Sequence, residues 1–294
     1  MKPAILILFT LTLFFPACGQ AEEPDQNKTG NTVVHSVQTE RKSFINESGT
    51  RVASRFLLPD DFERVEVQPG SFAEYLEKLP LKPHGSKVKY YDGKVKNNYG
   101  VYDAVVDMDI GTGNLQQCAD AIMRLRGEYF FNRKQYHKIH FNFTNGFRVD
   151  YSKWMEGHRI VVKGNRTHWK KSASPSNTYN DFRKYMNMIF MYAGTLSLAK
   201  ELKSVDYKDL KTGDIFIQGG SPGHAVIVVD LAVNRKTGAK IYLLAQSYMP
   251  AQETHILKNP MNRDLSPWYA LNLKNKTIET PEWEFKAEDL KRFE

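Results

Sequence analysis

The stretch that decides the arrangement of this chain is DMDIGTGNLQQCADAIMRLRGEYFF, residues 107–131. The run Val101 to Ile110, which leads into it, is rich in β-branched residues and predicts a strand. A Gly-Thr-Gly sequence then interrupts the strand, and Asn114 is a residue type that caps helices. The apolar residues that follow recur at helical spacing. The stretch therefore predicts a strand, a turn and a helix, with Cys118 in or beside the first helical turn.

Cys118 has two interpretations at this point. At a helix start, unpaired backbone N–H groups and the helix dipole favour the thiolate, which is the reactive form of a nucleophilic cysteine. The same residue also lies on the apolar face of the helix, where a cysteine is often a small buried hydrophobe whose pKa is raised. The helix alone does not decide between them. The apolar face consists of Leu115, Cys118, Ala119, Ile122, Leu125 and Tyr129.

The N-terminus has the pattern of a secretory signal. Residues 1–17 combine one early lysine with an apolar run, Ala4 to Phe15, that is too short to span a bilayer. The ending Phe-Pro-Ala-Cys resembles a bacterial lipobox, in which Cys18 carries lipid and becomes the mature N-terminus. The alternative is an ordinary signal cut near Ala17 or Ala21. Both predict export, and the first predicts a lipoprotein anchored to a membrane of the bacterial cell envelope.

The composition beyond the signal predicts one folded domain on a tether. Residues 18–54 are mostly polar, which is typical of a flexible segment that holds a domain away from a membrane. From residue 55 to residue 294 the aromatic and aliphatic content is higher, with no internal repeat or dividing linker. A chain of this length can form a single core.

The cysteine count favours a reactive thiol. The chain has two cysteines, and lipid on Cys18 would leave Cys118 without a partner in a compartment that permits disulfides. An exported protein that keeps one free thiol is unusual. The count therefore favours the nucleophilic interpretation of Cys118.

The net charge is +8, from 41 basic and 33 acidic residues. Basic residues cluster locally in residues 87–96, 133–138 and 163–171, but no nucleic-acid motif accompanies them, and export argues against DNA or RNA as a partner. Anionic cell-wall polymers or lipid headgroups could use this charge. A solvated surface is the other explanation.

The remaining elements predict an α+β fold with helices packed on an antiparallel central sheet. Short helical and strand patterns cover residues 71–79 and 87–91. The Thr-Asn-Gly sequence between residues 139–143 and 147–151 predicts a hairpin. A long helix is expected from Asn177 or Thr178 to Leu202.

A second informative stretch is LKTGDIFIQGGSPGHAVIVVD, residues 210–230. It reads as a strand, a glycine-rich loop and a central strand that begins at His224 and is apolar on both faces. Residues 234–238 turn the chain, and residues 240–245 return antiparallel. If Val233 pairs with Ala239, Val226 faces Gln246, which makes His224 and Gln246 diagonal neighbours on one face. A histidine beside an oriented amide is a base with its orienting group.

These residues resemble a known family. A helix-start cysteine, then Gly-Asp-Ile-Phe at 213–216, then Gly-His-Ala-Val-Ile at 223–227 and a polar residue on the next strand resemble the papain-like cell-wall cysteine peptidases of the NlpC type and their acyltransferase relatives. The chain from residue 55 is also similar to uncharacterised bacterial lipoproteins known only as a domain of unknown function. The first resemblance implies a papain-like core with an insertion between Cys118 and His224.

The resemblance to the peptidases also implies roles. Cys118 would be the nucleophile, His224 its general base and Gln246 the residue that orients the imidazole. His255 and Asp230 are alternative third members. The chemistry would be acyl transfer from an amide to Cys118 and hydrolysis of the thioester, and it needs no metal or other cofactor.

The compartment makes a peptidoglycan stem or cross-bridge the expected substrate. Two other functions compete with a peptidase. One is a non-catalytic envelope lipoprotein that binds glycan or peptide, and the other is a lipid-handling acyltransferase or hydrolase.

Overall fold

The structure is a computed structural model and describes residues 43–294. The predicted signal, the lipidation site Cys18 and the predicted tether as far as residue 42 lie outside the described residues. Within residues 43–294, no helix has the length and apolar character needed to cross a membrane.

The described residues form a large sheet, three small hairpins and helices of 4 to 15 residues. The helices are α1 (Val52–Arg55), α2 (Phe72–Glu77), α3 (Cys118–Asn132), α4 (Tyr151–Met155), α5 (Tyr179–Tyr192) and α6 (Thr195–Glu201). The strands are β1 (Phe62–Arg64), β2 (Tyr102–Val105), β3 (His140–Asn142), β4 (Arg148–Asp150), β5 (His158–Lys163), β6 (Arg166–Lys171), β7 (Lys203–Ser204), β8 (Ile215–Gln218), β9 (His224–Asn234), β10 (Lys240–Gln246), β11 (His255–Leu257), β12 (Tyr269–Ala270), β13 (Thr277–Glu279), β14 (Glu284–Lys286) and β15 (Leu290–Arg292).

The expected α+β architecture with an antiparallel sheet is confirmed. Nine of the described strands form one sheet with the order β2-β11-β10-β9-β8-β15-β7, to which β1 and β12 add at β9 and β10. Each of these pairings is antiparallel. The pairs β3–β4, β5–β6 and β13–β14 form separate hairpins. The predicted hairpin around residues 139–151 is the first of these three.

Strand β9 separates two cores because its side chains alternate between the faces of the sheet. Ala225 and Ile227 pack in the core that also contains Ile122 and other buried residues of α3. Val226 packs in the second core, together with Phe285 of β14. Full burial of a side chain the size of Ile122 contributes about 1.5–3 kcal/mol, which holds α3 against the centre of the sheet.

The register between β9 and β10 changes once along the hairpin. Near the turn, Val233 pairs with Lys240, one residue away from the predicted pairing with Ala239. A β-bulge between Leu243 and Leu244 then shifts the register by one residue, and Ala245 pairs with Ile227. The next position places Gln246 opposite Val226, as predicted. The prediction was therefore wrong at the turn and right at the far end of the hairpin, where His224 and Gln246 lie.

Three other predictions need correction. The long helix expected as far as Leu202 is two helices, because the chain becomes extended at Ala193 and Gly194 before α6 begins. The strand expected from Val101 to Ile110 contains only the four residues of β2. The strand expected at residues 87–91 is replaced by two isolated bridges, since Lys89 and Tyr90 pair with different segments. Two single bridges to different segments do not form a continuous ladder.

The folded part of the chain also begins earlier than the predicted boundary at residue 55. Phe44 and Val52 are buried in the core beside α3, with relative exposures of 6% and 0%. Ile45 forms a bridge with Phe56. A few apolar side chains in this mostly polar segment therefore connect residues 43–54 to the folded domain.

Candidate active site

Cys118 is the first residue of α3. The helix is capped by Gln117, whose backbone N–H donates to Asp120 Oδ2 at 3.0 Å. The cap lies three residues later than the predicted Asn114, so the thiol belongs to the first helical turn itself. Its side chain is partly exposed.

The loop that leads to Cys118 is held by side chains from two directions. Arg124, which is buried in α3, donates to Gln116 Oε1 at 3.0 Å and to the carbonyl oxygen of Asp109 at 3.2 Å. From the other side, Asn114 Oδ1 accepts the backbone N–H of Ala251 at 2.8 Å. These contacts fix the position of the helix start against the loop that follows β10.

The thiol of Cys118 is less acidic than a free cysteine thiol. Burial raises its pKa to about 11, and the charge of Asp120 adds to this effect. The backbone N–H groups of Ala119, Ala225 and Cys118 lower the pKa but do not overcome the burial. Of the two interpretations of Cys118, the raised pKa agrees with the buried thiol, because desolvation outweighs the helix terminus.

His224 is the first residue of β9 and is 2% exposed. Three aromatic rings surround its imidazole, with centroid distances of 4.7 Å to Tyr248, 5.3 Å to Trp283 and 5.8 Å to Phe285. Burial lowers the pKa of His224 to about 4, Gln246 opposes this shift, and the charge of Lys96 adds to it. The imidazole is therefore neutral at neutral pH.

The structure brings His224 and Gln246 into direct contact. Nε2 of His224 lies 2.8 Å from Oε1 of Gln246. The other ring nitrogen, Nδ1, makes no hydrogen bond with any residue in the described range 43–294. The imidazole is thus held from one side and has a free nitrogen on the other.

The thiol of Cys118 lies near the N-terminal end of β9, the strand that His224 begins. The thiol lies against the backbone N–H of Ala225, the residue that follows His224. Burial raises the pKa of Tyr248, whose ring packs on the imidazole, and charges on Glu282 and Cys118 add to this effect. Within residues 43–294 the thiol and the imidazole are not hydrogen-bonded to each other. The two groups are neighbours around one strand start, and both are neutral at rest.

Two charged residues that the sequence analysis missed complete the surroundings of Gln246. Its amide nitrogen donates to Glu282 Oε2 at 2.6 Å. Glu282 Oε1 in turn accepts from Lys96 Nζ at 2.6 Å. No local pattern could have identified this pair, because about 150 or more residues separate Lys96 from each partner along the chain.

The two alternative third residues have different positions. His255 lies beside Gln246 on β11, and its Nε2 is 3.3 Å from the amide nitrogen of Gln246. Asp230 accepts from Arg64 Nε at 2.9 Å and lies six residues from His224 along β9, roughly 20 Å away. Gln246 is therefore the residue that contacts the imidazole, and Asp230 is remote from it.

Among residues 43–294, no three His, Cys, Asp or Glu side chains are grouped in a way that could hold a metal ion. A family model described as Domain of unknown function (4846) matches residues 52–292, which include Cys118, His224 and Gln246. No curated protein and no solved structure shows a significant match to the chain.

Proposed function

The chain belongs to the family described as Domain of unknown function (4846), and because that description names no activity, we propose a function from the site itself. The protein is a cysteine-dependent amidase or peptidase that transfers the acyl group of a cell-wall peptide to Cys118. His224 is the general base, and Gln246 orients its imidazole. The core is papain-like, of the NlpC type, with an insertion between Cys118 and His224.

The observation that carries this proposal is the 2.8 Å contact between His224 and Gln246 beside the helix-start thiol. Gln246 holds Nε2 of the imidazole and leaves Nδ1 free, while Cys118 lies against the residue that follows His224. A nucleophile, a base and an orienting group from three separate elements are the parts that acyl transfer through cysteine requires.

The reaction needs two proton movements through His224. Nδ1 takes the thiol proton while Sγ of Cys118 attacks the carbonyl carbon, and the imidazolium then gives this proton to the leaving amine. In the second half, His224 takes a proton from water, whose oxygen attacks the thioester, and returns it to the departing sulfur. The backbone N–H of Cys118 at the helix start supports the negative charge on the tetrahedral oxygen.

The neutral resting state places a constraint on the first step. The pKa values of about 11 for Cys118 and about 4 for His224 differ by about 7, which corresponds to about 10 kcal/mol against a separated thiolate and imidazolium. Attraction between the two charges at about 4 Å returns only about 4 kcal/mol at an effective dielectric constant of 20. Proton transfer is therefore coupled to the attack on substrate, and an ion pair does not form beforehand.

The proposed location follows from the N-terminal sequence. A lipid on Cys18 anchors the protein to a membrane of the cell envelope, and the segment after it holds the domain at a distance. Peptidoglycan stems and cross-bridges are the amide substrates available in that compartment. Mass spectrometry of the N-terminal peptide from the native host tests the lipid directly, and an unmodified peptide that retains residues 1–17 would contradict the export proposal.

The activity is tested with the full chain and purified peptidoglycan sacculi. Incubation in ¹⁸O-labelled water, followed by mass spectrometry of the released peptides, should show one labelled carboxyl group for each amide cleaved. Cys118→Ala should abolish release, and Asn165→Ala, in a surface turn, serves as the control substitution. Release that persists in Cys118→Ala, or no release by the wild-type chain from sacculi of several cross-bridge types, would contradict the proposal.

A basic cavity favours a second candidate function, the binding of an anionic envelope polymer. The cavity has a volume of about 560 Å³ and lies near the C-terminal half of α3. Two carboxylates also line it, Glu201 and Glu294, but Glu201 is already engaged by the backbone N–H of Asn142 at 2.9 Å. The five basic residues of the lining are Arg126, Lys138, Arg148, Lys200 and Lys203.

This second function is tested by binding to a purified polyanionic wall polymer, such as a teichoic acid. The double variant Lys138→Gln/Lys200→Gln removes two exposed cavity charges, and Lys163→Gln/Lys170→Gln removes two exposed charges elsewhere. Binding at the cavity predicts that only the first double variant weakens retention. Equal weakening in both would indicate an effect of net charge alone.

A further inference from the structure

The direction of the Gln246 amide follows from its neighbours. Its nitrogen faces the carboxylate of Glu282 at 2.6 Å, and a carboxylate accepts hydrogen bonds only. The same nitrogen lies 3.3 Å from Nε2 of His255. Nδ1 of His255 lies 2.8 Å from the carbonyl oxygen of Glu253 and must carry a proton, so Nε2 of this ring is an acceptor. Both neighbours require the nitrogen of Gln246, and not its oxygen.

This orientation determines where His224 carries its proton. Because its nitrogen faces Glu282 and His255, Gln246 presents Oε1 to Nε2 of His224 at 2.8 Å. A carbonyl oxygen accepts only, so Nε2 of His224 must carry the hydrogen. Nδ1 then holds the lone pair and makes no hydrogen bond within the described part of the chain. The neutral imidazole is therefore in the tautomer that has its basic nitrogen free.

Lys96 holds the carboxylate of Glu282, which contacts Gln246 and, through it, His224. Its ammonium group donates to Glu282 Oε1 at 2.6 Å and to Gln252 Oε1 at 2.9 Å. The side chains of Lys96 and Glu282 are 4% and 17% exposed, so the pair is largely removed from water. Because Lys96 binds one carboxylate oxygen of Glu282, the other oxygen stays directed at Gln246.

We propose that Glu282, held by Lys96, is a positioning residue that sets His224 in the tautomer with the proton on Nε2, by fixing the amide of Gln246. This inference rests on the proposed function for its use, since a free Nδ1 is what a general base at Cys118 requires. The tautomer of His224 can be measured in the resting protein without a substrate.

The first test is Glu282→Gln in the full chain. Lys96 attracts the carbonyl oxygen of the new side chain, which turns its NH₂ group toward Gln246. Two amide nitrogens then face each other, and Gln246 is driven to flip and present its own nitrogen to His224. The proton of His224 moves to Nδ1. Nitrogen-15 NMR of the imidazole should show the ratio of the Nε2–H to the Nδ1–H tautomer fall by about tenfold.

The second test restores the contact by removing a charge. In Lys96→Met/Glu282→Gln, nothing holds the carbonyl oxygen of the new glutamine, so it can accept from Gln246, and the wild-type tautomer should return. A purely structural role for the ion pair predicts no such rescue. The matched control is Arg64→Met/Asp230→Asn, which removes a partly buried ion pair away from His224 along β9 and should leave the His224 signals unchanged.

A third variant tests the proposal if Glu282→Gln does not fold. Lys96→Met/Glu282→Leu removes both charges and the acceptor, and the tautomer ratio should fall without rescue. Wild-type ratios in folded Glu282→Gln or in folded Lys96→Met/Glu282→Leu would overturn the proposal, as would a shift in Glu282→Gln that Lys96→Met does not reverse.

The outcome can be separated from that of the proposed function. If the tautomer shifts as expected but no variant or wild-type chain releases peptide, the positioning role stands and the hydrolase assignment fails. If wild-type chain is active, the hydrolysis rate should follow the tautomer ratio across the variants, with about tenfold loss and recovery.

Discussion

Two buried histidines lie on either side of Gln246, and their surroundings differ in one respect. His255 is fully buried and both of its ring nitrogens have partners, the carbonyl oxygen of Glu253 and the amide of Gln246. His224 is almost as buried, but one nitrogen is held and the other is free. Burial lowers the pKa of both, to about 3 for His255 and about 4 for His224.

The comparison shows that burial and depressed basicity do not by themselves identify a catalytic histidine. His255 has the larger pKa shift, yet it has no nitrogen left to take a proton from a substrate or a thiol. His224 keeps such a nitrogen at the edge of β9, beside the start of α3. The available lone pair, and not the size of the shift, distinguishes a candidate base from a structural residue.

The largest expected effect is the difference between the two histidines in peptide release from sacculi. His224→Ala should lower the rate by about a thousandfold, within the range for loss of a general base, whereas His255→Gln should lower it by about tenfold through the orientation of Gln246. Initial rates of labelled peptide release measure both. Equal losses of rate in the two variants would contradict the assignment of His224, and not His255, as the general base.

The second effect concerns the resting thiol. Because burial raises the pKa of Cys118 to about 11, the thiolate fraction at pH 8 should be roughly a hundredfold below that of a free thiol. Iodoacetamide labelling should be slow at pH 8 and should rise with pH beyond 9, and mass spectrometry follows it. His224→Gln serves as the comparison variant. Rapid labelling of wild-type chain near pH 6 that His224→Gln abolishes would show an ion pair at rest.

The third effect is on stability in acid. Each histidine has a folded pKa below the unfolded value near 6.5, so the unfolded chain binds more protons and stability falls as the pH drops through 6.5 toward 4. Between pH 7.5 and pH 5, each should contribute about 2 kcal/mol to the loss of unfolding free energy. Urea unfolding of His224→Gln and His255→Gln should show a smaller loss than wild-type chain.

A pH dependence that is the same in wild-type chain and both glutamine variants would mean that neither imidazole is buried in its neutral form. Below pH 4 the contributions of the two histidines to the pH dependence should differ. As the pH falls, folded His224 takes up its proton before folded His255 does.

The smallest effect is expected at Asp230, the alternative third residue that the structure places far from the imidazole. Asp230→Asn keeps the acceptor for the backbone N–H of Leu231 and loses the charge that faces Arg64. Peptide release should stay within about twofold of wild type, with a stability cost of about 1 kcal/mol or more in urea unfolding. A large loss of peptide release with a small loss of stability would support Asp230 as the third residue of the site.

The parts of the fold that sequence predicted are those with strong local patterns. The helix from Cys118, the apolar strand from His224 and the turn after Asn234 all have apolar spacing or turn residues that act over a few positions. The break between α5 and α6 was missed because apolar spacing continues through Ala193 and Gly194, although the backbone does not.

The residues of the candidate site differ in how far a sequence argument could reach them. Cys118, His224 and Gln246 stand out by residue type and by position at the ends of elements. Lys96 and Glu282 lie in irregular segments, and their meeting depends on the packing of distant loops. The direction of the Cys118 shift was also beyond a sequence argument, since it depends on how much water the folded chain removes from the sulfur.

The bulge between Leu243 and Leu244 separates the turn of the β9–β10 hairpin from the end that carries His224 and Gln246. One additional residue on β9 changes which side chains share a face, so the loop at residues 234–238 and the pair His224–Gln246 belong to different registers of the same ladder. Removing Val229 would move every side chain on one side of it to the opposite face. The orientation of the imidazole therefore depends on Val229, a buried apolar residue five positions away along the strand.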